Sequence, residues 1–238
     1  MDSFFLNLSG LYARDALSGG GLVDLSDMEG TCCYCDPQAE EILKRSIADL
    51  PLRAVHFTDS GDYHYVSKLF TDRLSVPFTL VLFDNHPDMQ APAFGDILSC
   101  GGWVRKALEE NAFLEGVVIV GSDPSLAGET EGFGNRVTLL PADVEPSALA
   151  EIVKERRIYI SIDKDVLSRE YARTDWSQGT MTLPQLLTLL NVALRVCGKN
   201  ILGVDVCGGL SEAKGGQGED FRINAAADRA ISDVFAKL

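Results

Sequence analysis

"FTLVLFDNHPDMQ", residues 78–90, begins as an apolar run and ends with Asp84, His86 and Asp88 at alternate positions. The first half reads as a strand that is hydrophobic on both faces, the kind that sits in the middle of a parallel sheet with both sides covered. The second half crowds two carboxylates and an imidazole at the strand's end. Such side chains repel one another or waste hydration unless something positive lies among them, so a metal ion is the first expectation. Pro87 has no amide hydrogen for a sheet ladder, which places "NHPDM" beyond the strand, in a loop at the rim.

Other runs of the same kind lie on either side: "RAVHFT" (53–58), "GVVIVG" (116–121), "RVTLL" (136–140), "RIYISID" (157–163) and "ILGVDV" (201–206). They alternate with segments of helical spacing, the signature of a parallel sheet flanked by helices. Asp36 followed by Pro37 opens a helix to about Asp49, Ser147 can cap one running to Arg157, and Thr182 with Gln185 forms a capping box before "LLTLLNVALRV". The last segment, from Arg222 to Leu238, is amphipathic and is expected to pack on the sheet. There is no internal repeat and no convincing linker, so residues 1–238 read as one α/β domain. The Gly-rich 208–220 stretch fits neither a phosphate loop nor a dinucleotide fingerprint.

A net charge of −14 argues against a nucleic-acid backbone or an anionic membrane surface as partner and favours small molecules or proteins, with a small-molecule substrate expected. "MDSFFLNLSG" has an acid at position 2 and no basic segment, so it does not read as a secretory signal, and the chain has no long uninterrupted apolar run. A cytoplasmic protein is expected, with its six cysteines reduced. Cys32, Cys33 and Cys35 in "TCCYCD" lack a second Cys pair of zinc-site spacing, so a turn with its thiols packed inward is expected there.

Ligands of open parallel sheets bind outside the carboxyl ends of the strands, and the residues just past each strand therefore belong together. They are His64 in "DSGDYHY", Asp84, His86 and Asp88 in "DNHPD", Asp163 and Asp165 in "SIDKD", and Asp205 in "GVDVCGG". Lys164 faces away from the two aspartates beside it, and His56, inside a strand, reads as a core residue. Four carboxylates (Asp84, Asp88, Asp163, Asp165) are neutralised by two divalent cations, whereas one would leave a surplus of negative charge. Oxygen-rich ligands with two imidazoles suit Mn²⁺ best, ahead of Zn²⁺, Fe²⁺ or Ni²⁺. Two such ions can lower the pKa of a bridging hydroxide and aim it at an electrophilic carbon, which implies hydrolysis.

"SGDYHY", "FDNHPD" and "SIDKDVL", in that order, resemble the three metal-binding motifs of the arginase/agmatinase (ureohydrolase) family, over about residues 53–206. The resemblance implies a three-layer α/β/α fold with a mostly parallel sheet and a di-manganese site. One ion would be held by His64, Asp84, Asp88 and Asp163, the other by Asp84, His86, Asp163 and Asp165, with Asp88 also acting catalytically by orienting the nucleophile. It further implies cleavage of a linear non-peptide C–N bond in a guanidino, amidino or formimino compound. Relatives of this kind often assemble as trimers or hexamers, so a homo-oligomer is an expectation of the resemblance.

Three departures bear on the substrate. Tyr63 intervenes between Asp62 and His64, where the family places His directly after Asp; Gly208 stands at or near the position of a guanidinium-gripping Glu; and "LSCGGWV" offers Cys100 where arginases carry a shuttle His. Loss of the acid removes a charge-assisted bidentate contact and argues against arginine as substrate. Asp205 or Asp175 would replace it. Asp175, Trp176 and Gln178 lie in the loop where the family builds part of its pocket, Trp176 offering a face for an apolar or cationic group. Two other readings remain at this level: a deacylase-like amidohydrolase with one zinc, and a metal-binding scaffold with a degenerate pocket.

Overall fold

The computed structural model describes residues 1–12, 21–92, 95–236 and 238. Its centre is an eight-stranded sheet in the order β2-β1-β4-β10-β9-β5-β7-β8. The strands are β1 (Ser3–Asn7), β2 (Gly21–Asp24), β4 (Val55–Phe57), β5 (Phe78–Phe83), β7 (Leu114–Val120), β8 (Val137–Leu140), β9 (Ile158–Asp163) and β10 (Ile201–Cys207). Every neighbouring pair runs parallel. β3 (Tyr34–Cys35) and β6 (Leu98–Ser99) make a separate antiparallel pair.

Helices cover both faces, giving three layers. On one face α1 (Pro37–Ile47), α2 (Val66–Thr71) and α3 (Trp103–Glu110) bury Leu43, Leu69 and Trp103 against Leu80, Leu82 and Ile119. On the other, α4 (Pro146–Val153), α5 (Leu183–Cys197) and α6 (Gly218–Phe235) bury Leu149, Leu186 and Ile231 against Val81, Ile160 and Val204. β4, β5 and β9 are buried at every residue, which is why they carry unbroken apolar runs.

All six expected strands are present. β1 and β2 are additional; β2 has four residues, largely exposed at the sheet's edge, and carries no apolar alternation to reveal it. β8 is the opposite edge and is only partly covered, despite its apolar sequence. Asp36 caps α1 by accepting from the Ala39 amide, and Thr182 and Gln185 make their capping box at α5. The helix expected from Ser147 to Arg157 differs. Pro146 occupies its first turn after Glu145, no side chain caps it, and it ends at Val153, just before Glu155 adopts a left-handed φ of 64°. α6 starts earlier than expected, at Gly218, and Lys237 of the expected C-terminal helix lies outside the described residues. Among the described residues no helix is long and apolar enough to cross a membrane.

Candidate metal centre

β5 and β9 are adjacent, with Phe83 opposite Ile162, so the residues that follow them emerge side by side at the C-terminal rim. Asp84 continues the face of Leu80 and Leu82, and Asp163 that of Tyr159 and Ser161, by the two-residue period of a strand. Past β4 the chain makes a tight turn over Gly61–Tyr63 that delivers His64 to the same place. Tyr63, between Asp62 and His64, is buried in the core on the α1–α3 side, and Asp62 meets Cys32, Cys33, Trp176 and Lys214 rather than the other rim carboxylates. Asp59, itself at φ 76°, fixes the start of this loop by accepting from the amides of Leu8, Ser9 and Ser60.

The structure brings all six expected ligand side chains together. His64 Nδ1 lies 3.2 Å from Asp84 Oδ2, 2.9 Å from Asp88 Oδ2 and 3.6 Å from Asp163 Oδ2. His86 Nδ1 lies 2.8 Å from Asp165 Oδ2 and 3.5 Å from Asp84 Oδ1. Asp84 thus stands between two groups, one with His64 and Asp88, the other with His86 and Asp165. Each imidazole is oriented through its other nitrogen, His64 Nε2 against Ser161 Oγ and His86 Nε2 against Ser177 Oγ, which leaves both Nδ1 atoms for the carboxylates. Asp163 accepts from the Asp165 amide, Asp165 from the Asn85 amide, and Asp84 from the His86 amide. Asp88, at φ 52°, receives the Trp103 indole N–H at 2.7 Å on Oδ2.

The electrostatics of this cluster are unfavourable as it stands. Burial, followed by the neighbouring Asp165, pushes Asp163 up to about 6, and burial with Asp84 pushes Asp165 up to about 7. Asp84 and Asp88 are also raised, again chiefly by burial. Burial opposes the charged form of His86, but its bonds to Asp165 and Asp84 outweigh it and carry it to about 11. His64 is likewise raised against the pull of burial, by Cys207 and by Asp84 and Asp88. Each of these shifts answers the crowding of buried negative charge, which cations would also offset. Two of its buried atoms, His64 Nδ1 and Asp84 Oδ2, face each other without a hydrogen bond. Orphaned donor atoms among buried carboxylates and imidazoles fit a pair of divalent ions.

Other expected pocket residues are distributed differently. Trp176 stands over the cluster, 38% exposed, its ring 5.9 Å from that of His86 and its N–H on Asp62 Oδ1. Asp175 is nearby, in an ion pair with Lys214. Gln178 turns into its own loop, donating to the carbonyls of Leu167 and Ala172. Asp205 is not brought to the cluster: it is buried within the sheet, receiving the Tyr159 hydroxyl at 2.7 Å and facing His56 Nδ1 at 2.9 Å. The residue of β10 that reaches the cluster is Cys207, two positions on and opposite Asp163, with Sγ 3.2 Å from Asp163 Oδ2. Its signal was present in the alternation of the strand. Cys100 is buried, and burial followed by Asp88 pushes its thiol up to about 12, so it stays protonated near neutrality. At Gly208, φ is 86° and a Cβ would fall 2.3 Å from Asp163 Oδ1, so no larger side chain fits.

The arginase family model matches residues 56–208, the span that carries every one of these side chains except Lys214. The chain belongs to the arginase family. An uncharacterized protein of Thermotoga maritima is 33% identical over 173 residues, a match that covers 72% of this chain and 62% of that protein's length. The fold is shared with two solved structures at 14% identity and a TM-score of 0.72. They are formimidoylglutamase from Bacillus subtilis, with 98% of this chain and 86% of that one covered, and Trypanosoma cruzi formiminoglutamase with Mn²⁺, with 99% and 93% covered.

Proposed function

We propose that this arginase-family chain is a binuclear metallohydrolase that cleaves a linear, non-peptide C–N bond of a guanidino, amidino or formimino compound. The observation that carries the reading is the pair of bond-less buried atoms, His64 Nδ1 and Asp84 Oδ2, at the centre of four buried carboxylates. His64, Asp84, Asp88 and Asp163 would hold one ion, and Asp84, His86, Asp163 and Asp165 the other. Manganese suits this donor set on hardness, and one structure of the same fold is described with Mn²⁺. When bound, such a pair supplies the charge that activates water for attack on an electrophilic carbon.

The chain's own residues do the rest. Asp88, its Oδ2 held by the Trp103 N–H, accepts a hydrogen bond from the attacking water and orients it. Trp176 presents a flat face at the mouth, suited to a planar cationic or apolar group. The absence of any side chain at Gly208 removes the contact that would grip a guanidinium, which argues against arginine as substrate. A cytoplasmic setting, in which the six cysteines would stay as thiols, belongs to the same reading. The test is a panel of guanidino, amidino and formimino compounds incubated with Mn²⁺-loaded protein and assayed for urea, ammonia and formamide. Turnover of at least one is expected, and metal-loaded protein inert on all of them would favour the scaffold reading.

A further inference from the structure

Beside the rim cluster, and independent of it, lies a second group of metal-type donors. Cys32 Sγ and Cys33 Sγ are 4.0 Å apart, Cys32 Sγ is 3.5 Å from Asp62 Oδ2, and Cys33 Sγ is 3.3 Å from Asp62 Oδ1. From ordinary Zn–S and Zn–O bond lengths, the edges of a zinc tetrahedron come to about 3.8 Å between two sulfurs and about 3.5 Å between sulfur and oxygen. The two sulfurs stand near the first of those edges, each approaches a different oxygen of the Asp62 carboxylate at close to the second, and the three groups are near enough to one another to share one ion. The geometry points to a third cation site at Cys32, Cys33 and Asp62, for a thiophilic divalent ion such as Zn²⁺.

Adjacent residues in regular backbone send their side chains apart. Here Cys33 takes a left-handed φ of 59°, rare for a residue with a side chain, and the two thiols converge. The surrounding backbone holds that conformation: the Cys100 amide donates to the Cys33 carbonyl, the Tyr34 amide to the Cys32 carbonyl, and the Tyr65 hydroxyl to the Thr31 carbonyl. The carboxylate comes from 30 residues away and is only 2% exposed, whereas Cys32 is exposed and gives an ion access. Two thiolates and one carboxylate leave one negative charge over a divalent ion, and the Lys214 ammonium, 3.2 Å from Asp62 Oδ2 and shared with Asp175 at 3.0 Å, offsets part of it. Binding would exchange the ion for the two thiol protons.

The site would clamp the segment carrying Cys32 and Cys33 to the turn carrying His64. Because Asp62 also receives the Trp176 N–H, the clamp extends to the roof of the rim cluster. The expectation from sequence, of thiols packed inward, holds only for Cys35, which is buried; Cys33 is half-buried and Cys32 exposed.

The test uses the full chain loaded with Co²⁺, whose bonds to thiolate give an intense near-ultraviolet charge-transfer absorption that oxygen and nitrogen ligands lack. The wild type is expected to show that absorption, and Cys32→Ser with Cys33→Ser to lose it together with one equivalent of Zn²⁺, keeping the rim ions. Asp62→Asn should weaken Co²⁺ binding at this site by at least about tenfold. Asp163→Ala, which strips the rim cluster, should leave the absorption intact, so failure of the rim assignment is separable from failure here. Absence of the absorption in the wild type, its survival in the double serine variant, its loss in Cys207→Ser, or unchanged affinity in Asp62→Asn would each overturn the assignment.

Discussion

Two histidine–aspartate clusters lie on one face of the sheet, one further along the strands than the other. In the lower, His56 Nδ1 faces Asp205, His56 Nε2 faces the Pro51 carbonyl, the ring stacks on Phe70, and Tyr159 donates to Asp205. In the upper, both imidazoles turn Nδ1 toward carboxylates, and His64 Nδ1 and Asp84 Oδ2 lack bonds. The residue types are the same. The lower group sits inside the strands, where neighbouring elements supply a hydroxyl and a carbonyl. The upper group sits past the strand ends, where carboxylate faces carboxylate. Asp205 Oδ2 is also without a partner, so the contrast lies in the company each pair keeps: one carboxylate beside a hydroxyl and a carbonyl marks a core pair, whereas four carboxylates around two imidazoles mark a candidate ligand set.

Four changes test that contrast, beginning with the largest effect. Asp163→Ala should lower the metal content from about two ions per chain and cut turnover by more than about 100-fold, since changes one shell further out already cost 10–100-fold; elemental analysis and the substrate panel report both. Trp103→Phe keeps the ring against His64 but removes the donor to Asp88, and should weaken metal binding by about 10–100-fold in a chelator competition.

The third is pH. Asp163 and Asp165, raised to about 6 and about 7, hold protons in the folded chain that an unfolded chain releases near the ordinary carboxylate range. Metal-free protein should therefore lose stability as pH rises from about 4 through about 7. Ions compete with those same protons, so the rise in melting temperature on adding Mn²⁺ should be larger at about pH 8 than at about pH 5. An equal shift at both would contradict the assignment of these carboxylates as ligands.

The smallest change is in the lower cluster. Tyr159→Phe removes one hydrogen bond to the buried Asp205, should cost about 2 kcal/mol in denaturant unfolding, and should leave metal content unchanged.

Much of this was legible in the chain. Buried central strands must be apolar on both faces, so β4, β5, β7, β9 and β10 announced themselves, and the ligand side chains follow β4, β5 and β9 at a period the strand dictates. What was hidden depended on partners distant in sequence. Asp205 looked available because its carboxylate follows an apolar run, but Tyr159 and His56 arrive from other strands to occupy it. Trp103, Ser161 and Cys207 acquire their roles only through contacts with Asp88, His64 and Asp163. The cysteine pair gave no zinc-site spacing because its carboxylate neighbour, Asp62, is remote along the chain. Short edge strands carry too few buried positions to signal at all.

The most direct test of the central claim is anomalous diffraction at the manganese edge from crystals grown with Mn²⁺. Two peaks per chain are predicted at the rim, one beside His64 and Asp88 and one beside His86 and Asp165, with Asp84 between them. Density that leaves His64 Nδ1 and Asp84 Oδ2 without an ion would contradict the account.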